Sequence, residues 1–220
     1  MPISLCILTK NEEKTLARAI NSVKDVVDEI VIVDTGSKDK TKKIAKKFTS
    51  KIYDFKWNNN FANARNFSIS KATKEWILIL DADEIINKKD SLKIKKLIQN
   101  KNCLGYRFIQ KTHLNAERSK ANRQVGDKKI KNNDKKIFYR GICRLFQNKK
   151  DIKFTYPIHE TVRESIKRLN GKIGKSGVVI YHYPKYDKDK KDYYLKLLKK
   201  KIKSYPKSNA KKELEIEEII

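Results

Sequence analysis

Apolar segments alternate with amphipathic ones through about the first hundred residues of the chain. Apolar side chains dominate Ile3–Thr9, Glu29–Asp34 and residues 76–80, with a shorter segment at 51–55, and each run ends at a sharp change to polar residues. Continuous apolar runs of this length are typical of strands buried on both faces. The segments between them predict helices, and the whole pattern predicts an α/β fold: a mostly parallel, doubly wound sheet with helices on both faces.

Three helices are predicted between these strands. We expect Asn11 to cap the first helix, and Ser37 or Asp39 to cap the second. The third helix is predicted over residues 61–72. Gly36 permits a tight turn directly after the second strand.

The pattern changes in the second half of the chain. Residues 104–110, 142–147 and 178–182 are predicted to be strands. Residues 111–140 form a basic polar segment without apolar periodicity, which predicts a mobile loop. Residues 188–205 carry apolar side chains at helical spacing among many lysines, which predicts a basic C-terminal amphipathic helix.

The length and charge of the chain limit its organisation and its partners. A chain of 220 residues suits one domain with a full core, which we place at residues 1–184, followed by a basic helical extension at 185–220. Lysine and arginine number 53 against 26 acidic residues, giving a net charge of +27. Such a charge attracts nucleic acid, anionic lipid or phosphorylated substrates, although a lysine-rich surface that drifted without a function has the same composition.

Several features of the sequence predict a cytoplasmic protein. No apolar run approaches the roughly 20 residues that span a bilayer, and the N-terminus has no secretory leader. Cys6, Cys103 and Cys143 show neither metal-binding spacing nor an even disulfide framework. A reducing compartment fits this use of cysteine.

The strongest candidate for chemistry follows the strand at residues 76–80. That strand runs directly into Asp81-Ala82-Asp83-Glu84. Ligands of open α/β sheets gather at the carboxyl ends of the strands, where carboxylates hold Mg²⁺ or Mn²⁺ together with phosphate oxygens. The alternative is that an acidic pair of this kind only caps a helix.

Two further polar clusters follow the first two strands. They are TKNE at residues 9–12 and DTGS at residues 34–37, and they offer hydroxyl, amide and carboxylate groups beside helix N-termini. An aspartate in such a place can accept from a base N–H or a ribose hydroxyl, although an ordinary turn with a cap has the same residues. Arg65, on the third helix, could approach a base or a phosphate, or be a surface arginine.

Together these clusters resemble the motifs of glycosyltransferase family 2. The branch of that family that they resemble contains lipopolysaccharide-core β-glucosyltransferases and bacteriocin S-glycosyltransferases. The matching segments run in order over residues 1 to about 200: LTKNE at 8–12, VDTGSKDKT at 33–41, WNNNFANARN at 57–66, LDADE at 80–84, RLFQN at 144–148, IHE at 158–160 and YHY at 181–183.

The resemblance implies a GT-A fold and inverting transfer of a hexose from a nucleoside-diphosphate sugar, with a UDP-sugar favoured and Mg²⁺ or Mn²⁺ as cofactor. Residues 1–100 would form the nucleotide-sugar half of the domain and residues 101–184 the acceptor half. By this likeness, Thr9, Glu12, Asp34 and Arg65 would hold the nucleoside, and Asp81 and Asp83 would hold the ribose and the metal-diphosphate. We further expect Asn11 and Ala82 to join the nucleotide-sugar site, and His182 to be a further metal or diphosphate ligand.

The catalytic base departs from the usual family pattern. Inversion in one step needs a base that takes the acceptor's proton, and many family 2 enzymes supply it from a Glu-Asp pair. The chain has no such pair at the usual distance, and His159-Glu160 stands in its place. We predict Glu160 as the base and His159 as the second candidate, with a cap or packing on Tyr156 as the alternative role for His159. His182 could likewise have only a core or turn role.

The acceptor is the least defined partner. A cell-envelope glycan, a lipid-linked sugar or a polypeptide would each fit, and the 111–140 segment is expected near the acceptor. The basic helix could contact an anionic membrane, or its apolar stripe could pack on the domain. Two other classes stay open. A nucleic-acid-binding protein would use the charge, although no RNA-recognition, zinc-finger or helix-turn-helix signature appears. A sugar-nucleotide pyrophosphorylase would be expected to open with a glycine-rich diphosphate loop, whereas no glycine precedes Gly36.

Overall fold

The computed structural model of the protein describes residues 1–113, 137–184, 188–206, 208 and 211. These residues form a single mixed sheet covered by helices. The strands are β1 (Ile3–Thr9), β2 (Glu29–Asp34), β3 (Ile52–Asp54), β4 (Trp76–Ile79), β5 (Glu84–Ile86), β6 (Cys103–His113), β7 (Ile137–Gln147) and β8 (Lys172–His182). The helices are α1 (Leu16–Asn21), α2 (Thr41–Ala45), α3 (Phe61–Ser70), α4 (Lys88–Leu97), α5 (Arg163–Arg168) and α6 (Lys188–Ser204), with a 3₁₀ turn at Lys24–Val26.

The sheet joins a parallel half to an antiparallel half. Its order is β3-β2-β1-β4-β7-β6-β8-β5, and β3, β2, β1 and β4 are parallel to one another. β7 is antiparallel to both β4 and β6, β8 is parallel to β6, and β5 is antiparallel to β8. The carboxyl ends of β1, β2, β4, β6 and β8 therefore meet the start of β5 along one edge of the sheet.

Helices cover both faces of the sheet, because the central strands are apolar on both sides. One face packs against α1, α2 and α4 through a core that includes Leu5, Leu78 and Ile94. The other face packs against α3 and α5 through a core that includes Ile77 and Phe146. This arrangement confirms the predicted α/β class and the helices on both faces, although the strands of the second half are largely antiparallel where a mostly parallel sheet was predicted.

The apolar stripe of α6 packs on the domain. Leu197 and Leu198 are buried with Ile158, and Phe61 and Tyr193 lie against them. The described residues of α6 therefore show the packed arrangement, with Lys196, Lys199, Lys200 and Lys203 exposed on its outer side. Within the part of the chain that the structure describes, no helix is both long and apolar enough to cross a bilayer.

The predicted elements differ from the structure mainly at the hairpin of β6 and β7. Both strands extend into the basic segment that was predicted to be a loop, at residues 111–113 and 137–140, while 114–136 lie outside the described residues. Asn11 does not cap α1, whose N-cap is Thr15. Asn11 instead has a φ of 56° and accepts a hydrogen bond from the Lys38 backbone N–H over 2.8 Å, because it closes a turn.

Candidate functional site

The turn after β2 holds its aspartate in a ring of hydrogen-bond donors. One oxygen of Asp34 accepts from the backbone N–H groups of Gly36 and Ser37 over 3.0 and 2.8 Å, and the other accepts from the Thr9 hydroxyl over 3.1 Å. Gly36 supplies the turn with a φ of 106°, which favours glycine. Burial opposes ionisation of Asp34, but the hydrogen bonds from Ser37, Gly36 and Thr9 outweigh it and lower its pKa.

The turn after β1 lies directly beside that aspartate. The Asn11 backbone N–H donates to the Ser37 hydroxyl over 2.9 Å, and the Glu12 backbone N–H donates to the Thr41 hydroxyl over 2.7 Å. The structure therefore brings together four of the predicted nucleotide-binding residues, Thr9, Asn11, Glu12 and Asp34, at the ends of two adjacent parallel strands.

The acidic turn after β4 is neutralised by two buried arginines. Asp81 pairs with Arg65 of α3 through one carboxylate oxygen and with Arg144 of β7 through the other, the latter over 2.7 Å. Burial would raise the pKa of Asp81, but the two guanidinium groups outweigh it and hold that pKa well below its usual range. Ala82 is buried in this turn.

Glu84 completes the turn from inside the protein. Its side chain is fully buried, and it accepts from the Asp81 backbone N–H over 2.8 Å, from Arg144 over 2.8 Å and from Gln110. Burial raises the pKa of Glu84 and the Asp81 charge adds to the rise, while Arg144 opposes it. Arg144 thus contacts two carboxylates with one nitrogen, and their charges raise its own pKa against the effect of burial.

Glu160 reaches the same cluster through Arg65. The Arg65 Nε–H donates to Glu160 over 3.0 Å while another nitrogen of the same guanidinium pairs with Asp81. Both Arg65 and Arg144 keep a further nitrogen, Nη1 and Nε respectively, that is buried without a hydrogen-bond partner among the described residues. These nitrogens are donors that a bound anion could use. His159 precedes Glu160 with a φ of 49°, in the left-handed region.

Asp83 and His182 form the remaining predicted pair. The His182 Nε2 lies 3.3 Å from the Asp83 carboxylate, and its Nδ1 lies 3.2 Å from the Thr112 hydroxyl. The Tyr183 backbone N–H donates to the Asp83 carbonyl over 3.2 Å, so β8 and the acidic turn are joined. Burial would lower the pKa of His182, but the bond to Asp83 outweighs it and raises that pKa.

The three predicted metal ligands do not meet as a set. Within the described ranges, no group of three histidine, cysteine or acidic side chains is arranged to hold a metal ion, because Asp81 turns to the arginines. Asp83 and His182 alone offer one carboxylate and one imidazole. These donors fit Mn²⁺ or Mg²⁺ that takes its other ligands from a diphosphate and water.

Sequence reasoning missed two residues of this cluster, Glu84 and Gln110, and assigned no role to Arg144. Arg144 is buried and lies within the matching RLFQN segment, and the available signal was an arginine inside the strand predicted at 142–147. Glu84 was the third member of the acidic run, and Gln110 gave no signal.

The fold and the site together define a GT-A glycosyltransferase architecture, and comparisons with known proteins agree. The TarS protein of S. aureus, solved in complex with UDP-GlcNAc, superposes with a TM-score of 0.56 at 18% identity, covering 92% of this chain and 67% of that one. Glucosyl-3-phosphoglycerate synthase from Mycobacterium tuberculosis, solved with Mn²⁺ and UDP-glucose, gives a TM-score of 0.53 at 15% identity, covering 90% and 77%. Identities this low establish the fold alone.

Residues 4–155 match the protein family described as Glycosyl transferase family 2, so the chain belongs to that family. An uncharacterized glycosyltransferase of Rickettsia typhi is 32% identical over 186 residues, which cover 82% of this chain and 60% of that protein. The glycosyltransferase SunS of Bacillus subtilis is 41% identical over 97 residues, covering 43% and 23%. The family predicted from the motifs is confirmed, and the chain spans less than two thirds of the length of these relatives.

Proposed function

We propose that the protein is an inverting hexosyltransferase that uses a UDP-sugar as donor. The observation that carries the proposal is the convergence of the Asp34 turn, the Asp81–Asp83 turn and Glu160 on one edge of the sheet. Two solved structures of the same fold contain a UDP-sugar, which supports the choice of nucleotide. The family match favours glycosyl transfer over nucleic-acid binding and over a pyrophosphorylase.

The Asp34 turn would bind the nucleoside. Its carboxylate is already ionised and oriented by Thr9, Gly36 and Ser37, so it can accept from a base N–H or a ribose hydroxyl without rearrangement. Asn11 and Glu12 line the neighbouring turn. Binding at this place leaves the diphosphate to extend toward Asp81 and Ala82.

The acidic turn and its arginines would hold the diphosphate end of the donor. Arg65 Nη1 and Arg144 Nε, which have no hydrogen-bond partner among the described residues, suit phosphate oxygens, and Asp83 with His182 would hold the metal. When bound, a divalent cation stabilises the negative charge that develops on the departing UDP. Asp81 stays with its two arginines and fixes where their free nitrogens point.

Glu160 would act as the general base. The acceptor oxygen or sulfur attacks the anomeric carbon as the bond from that carbon to the diphosphate breaks, and the proton of the acceptor passes to the Glu160 carboxylate. The hydrogen bond from Arg65 fixes this carboxylate beside the diphosphate-binding arginines. His159 is the second candidate for the same role.

The acceptor would be a cell-envelope glycan, a lipid-linked sugar or a polypeptide. Four exposed lysines on the outer side of α6 could keep the enzyme near an anionic membrane: Lys196, Lys199, Lys200 and Lys203. Binding to vesicles that depends on anionic lipid and weakens with salt would support this contact, and binding that ignores lipid charge would argue against it.

Thermal shift with Mn²⁺ tests the function directly. UDP-, GDP-, CDP- and dTDP-sugars are compared, and we expect a UDP-sugar to raise Tm most. The matched control is Asp83→Asn, which keeps the size of the side chain but removes its charge. It should abolish the dependence of the shift on Mn²⁺. Equal shifts with all four nucleotides, or a metal dependence that survives in Asp83→Asn, would refute the assignment.

A further inference from the structure

The loop of residues 156–160, which carries His159 and Glu160, lies between two helices and contacts them in turn. On the side of α6, Ile158 is buried with Leu197 and Leu198. The Lys201 Nζ lies 4.5 Å above the centre of the Tyr156 ring, and Tyr205 meets the same ring edge-on, 5.0 Å between ring centres.

On the side of α3, the same loop is held by hydrogen bonds. The backbone N–H of Phe61, at the start of α3, donates to the Pro157 carbonyl over 2.9 Å, and Arg65 donates to Glu160 over 3.0 Å. Tyr156 and Ile158 thus contact α6, while Pro157 and Glu160 contact α3. The position of Glu160 depends on both helices.

The backbone of the loop needs this support. Tyr156 has a φ of 77° and His159 a φ of 49°, and neither is glycine. The left-handed region is unfavourable for a bulky residue such as tyrosine, so the surrounding contacts must hold the loop in this conformation. The backbone hydrogen bonds between Thr155 and Thr161 close the loop at its base, over 3.0 and 3.2 Å.

The same helix also holds the segment that leads into α3. The Trp57 indole N–H donates to the Tyr193 hydroxyl over 2.7 Å, and that hydroxyl donates to Asn59 over 2.9 Å. The ring of Phe61 packs against Tyr194 with 6.1 Å between centres. One face of α6 therefore contacts both the start of the helix that carries Arg65 and the loop that carries Glu160.

We propose that α6 is a positioning element of the active site, in which Tyr193 and Leu198 set the place of Glu160 relative to Arg65. The proposal rests on the proposed function, since it assumes that Glu160 takes part in the reaction. Neither residue touches the Asp34 turn, so loss of the α6 contacts should slow turnover without weakening the binding of UDP.

Two variants of α6 and two matched controls test this role. Leu198→Ala removes the buried contact with Ile158, and Tyr193→Phe removes only the hydroxyl. Ile98→Ala is the control for general loss of stability, because Ile98 is as buried as Leu198. Ile98 directly follows α4, before the start of β6, and so lies away from the carboxyl ends of the strands where the site is. Ser204→Ala is the control for the exposed face of α6.

The measurements are UDP release from UDP-glucose and UDP-GlcNAc with Mn²⁺ and water as acceptor, UDP binding by calorimetry, and amide hydrogen exchange. We expect Leu198→Ala to lower kcat by roughly 10- to 100-fold, as misplacement of a reacting group does, with UDP affinity unchanged. The amides of Thr155 and Thr161 should exchange faster. Tyr193→Phe should show the same pattern with a smaller fall in kcat.

A fall in kcat no larger in Leu198→Ala than in Ile98→Ala would overturn the proposal, and so would unchanged exchange at Thr155 and Thr161. If Leu198→Ala does not fold, Tyr193→Phe decides: wild-type kcat and wild-type exchange would then refute the role. A wild-type protein that binds no UDP would instead refute the proposed function, while the exchange data would still show whether α6 holds the loop.

Discussion

Replacement of Arg144 by methionine should destabilise the protein strongly, and a second substitution should restore much of the loss. Arg144 is 8% exposed and lies 2.7 Å from Asp81 and 2.8 Å from Glu84. Methionine has a similar length and no charge, so Arg144→Met removes the interaction with little change in volume. Glu84 is then left fully buried beside Asp81 without a cation of its own.

The magnitude follows from the cost of leaving a buried charge unpaired. Removal of one partner from a buried ion pair costs about 3–5 kcal/mol, because the remaining charge keeps its desolvation penalty and loses its attraction. Asp81 keeps Arg65, so most of the penalty should come from Glu84. The double variant Arg144→Met/Glu84→Gln removes both charges and should recover at least about half of the loss, since no carboxylate is then buried without a partner.

Urea denaturation of the wild type, both single variants and the double variant gives the four free energies of unfolding that this cycle needs. A favourable coupling of about 1 kcal/mol or more between the two substitutions is expected. Additive effects, or a loss below about 1 kcal/mol for Arg144→Met alone, would show that Arg144 does not compensate Glu84. Asp54→Asn is a suitable control, because Asp54 is paired with Lys42 on the surface.

Three further changes test other parts of the molecule. Asp34→Asn should weaken UDP-sugar binding more than it lowers kcat at saturating donor, and a kcat that falls with unchanged affinity would place Asp34 elsewhere. Glu160→Gln should lower transfer by roughly 10²- to 10⁴-fold with UDP binding kept, whereas a loss confined to His159→Ala would reverse the two roles. For Glu29, burial opposes ionisation, but hydrogen bonds from Lys51, Ser4 and Thr73 outweigh it and lower the pKa to about 2 from 4.5. Ionised Glu29 therefore adds about 3 kcal/mol to the free energy of unfolding above about pH 5, and this contribution is lost as pH falls toward 2. In urea denaturation, the difference in free energy of unfolding between wild type and Glu29→Gln should shrink over that range. A difference that stays constant with pH would refute this role of Glu29.

The strands of the first half were predictable because burial on both faces leaves a strong apolar signal. In residues 3–9 and 29–34, polar residues lie at or next to the ends of the segments. Ser4, the second residue of β1, donates a hydrogen bond to Glu29. β5 has three residues and was missed, and so was α5 with six. α4 was missed as well, because its many lysines obscure the apolar pattern; its N-cap is Asn87, which accepts from the Asp90 backbone N–H over 2.8 Å.

The long hairpin strands were predicted too short because their outer parts are not buried. β6 continues through residues 111–113 with polar, half-exposed side chains, and hydropathy does not detect such an extension because pairing between backbones needs no apolar residue. β7 begins with the apolar segment IFY at residues 137–139, and Arg140 and Gly141 separate it from the strand predicted at 142–147. Sequence patterns gave no register either, and the bulge between Tyr106 and Arg107 opposite β7 could not be foreseen.

The motifs singled out some side chains of this cluster, but they gave no information on which of them pair. Asp81, Arg65 and Glu160 were each chosen from a motif, yet the choice of partner depends on contacts across 16 and 95 positions of the chain. The buried position of Arg144 is of the same kind, 63 positions from Asp81. Local sequence determines the position of a side chain along its strand or helix, whereas tertiary packing determines which charged group that side chain contacts.

The charge balance of the site explains why two arginines accompany its carboxylates. Asp81, Glu84 and Glu160 share Arg65 and Arg144, so most of their charge is compensated within the protein before any ligand arrives. A donor whose dianionic diphosphate arrives with a divalent cation is close to neutral and does not disturb this balance. A diphosphate without the cation would add its charge to a cluster whose two arginines are already engaged by carboxylates, which opposes binding. Under the function proposed above, the compensation favours the donor as its metal complex, with Asp83 and His182, outside the arginine network, as the proposed place for the metal.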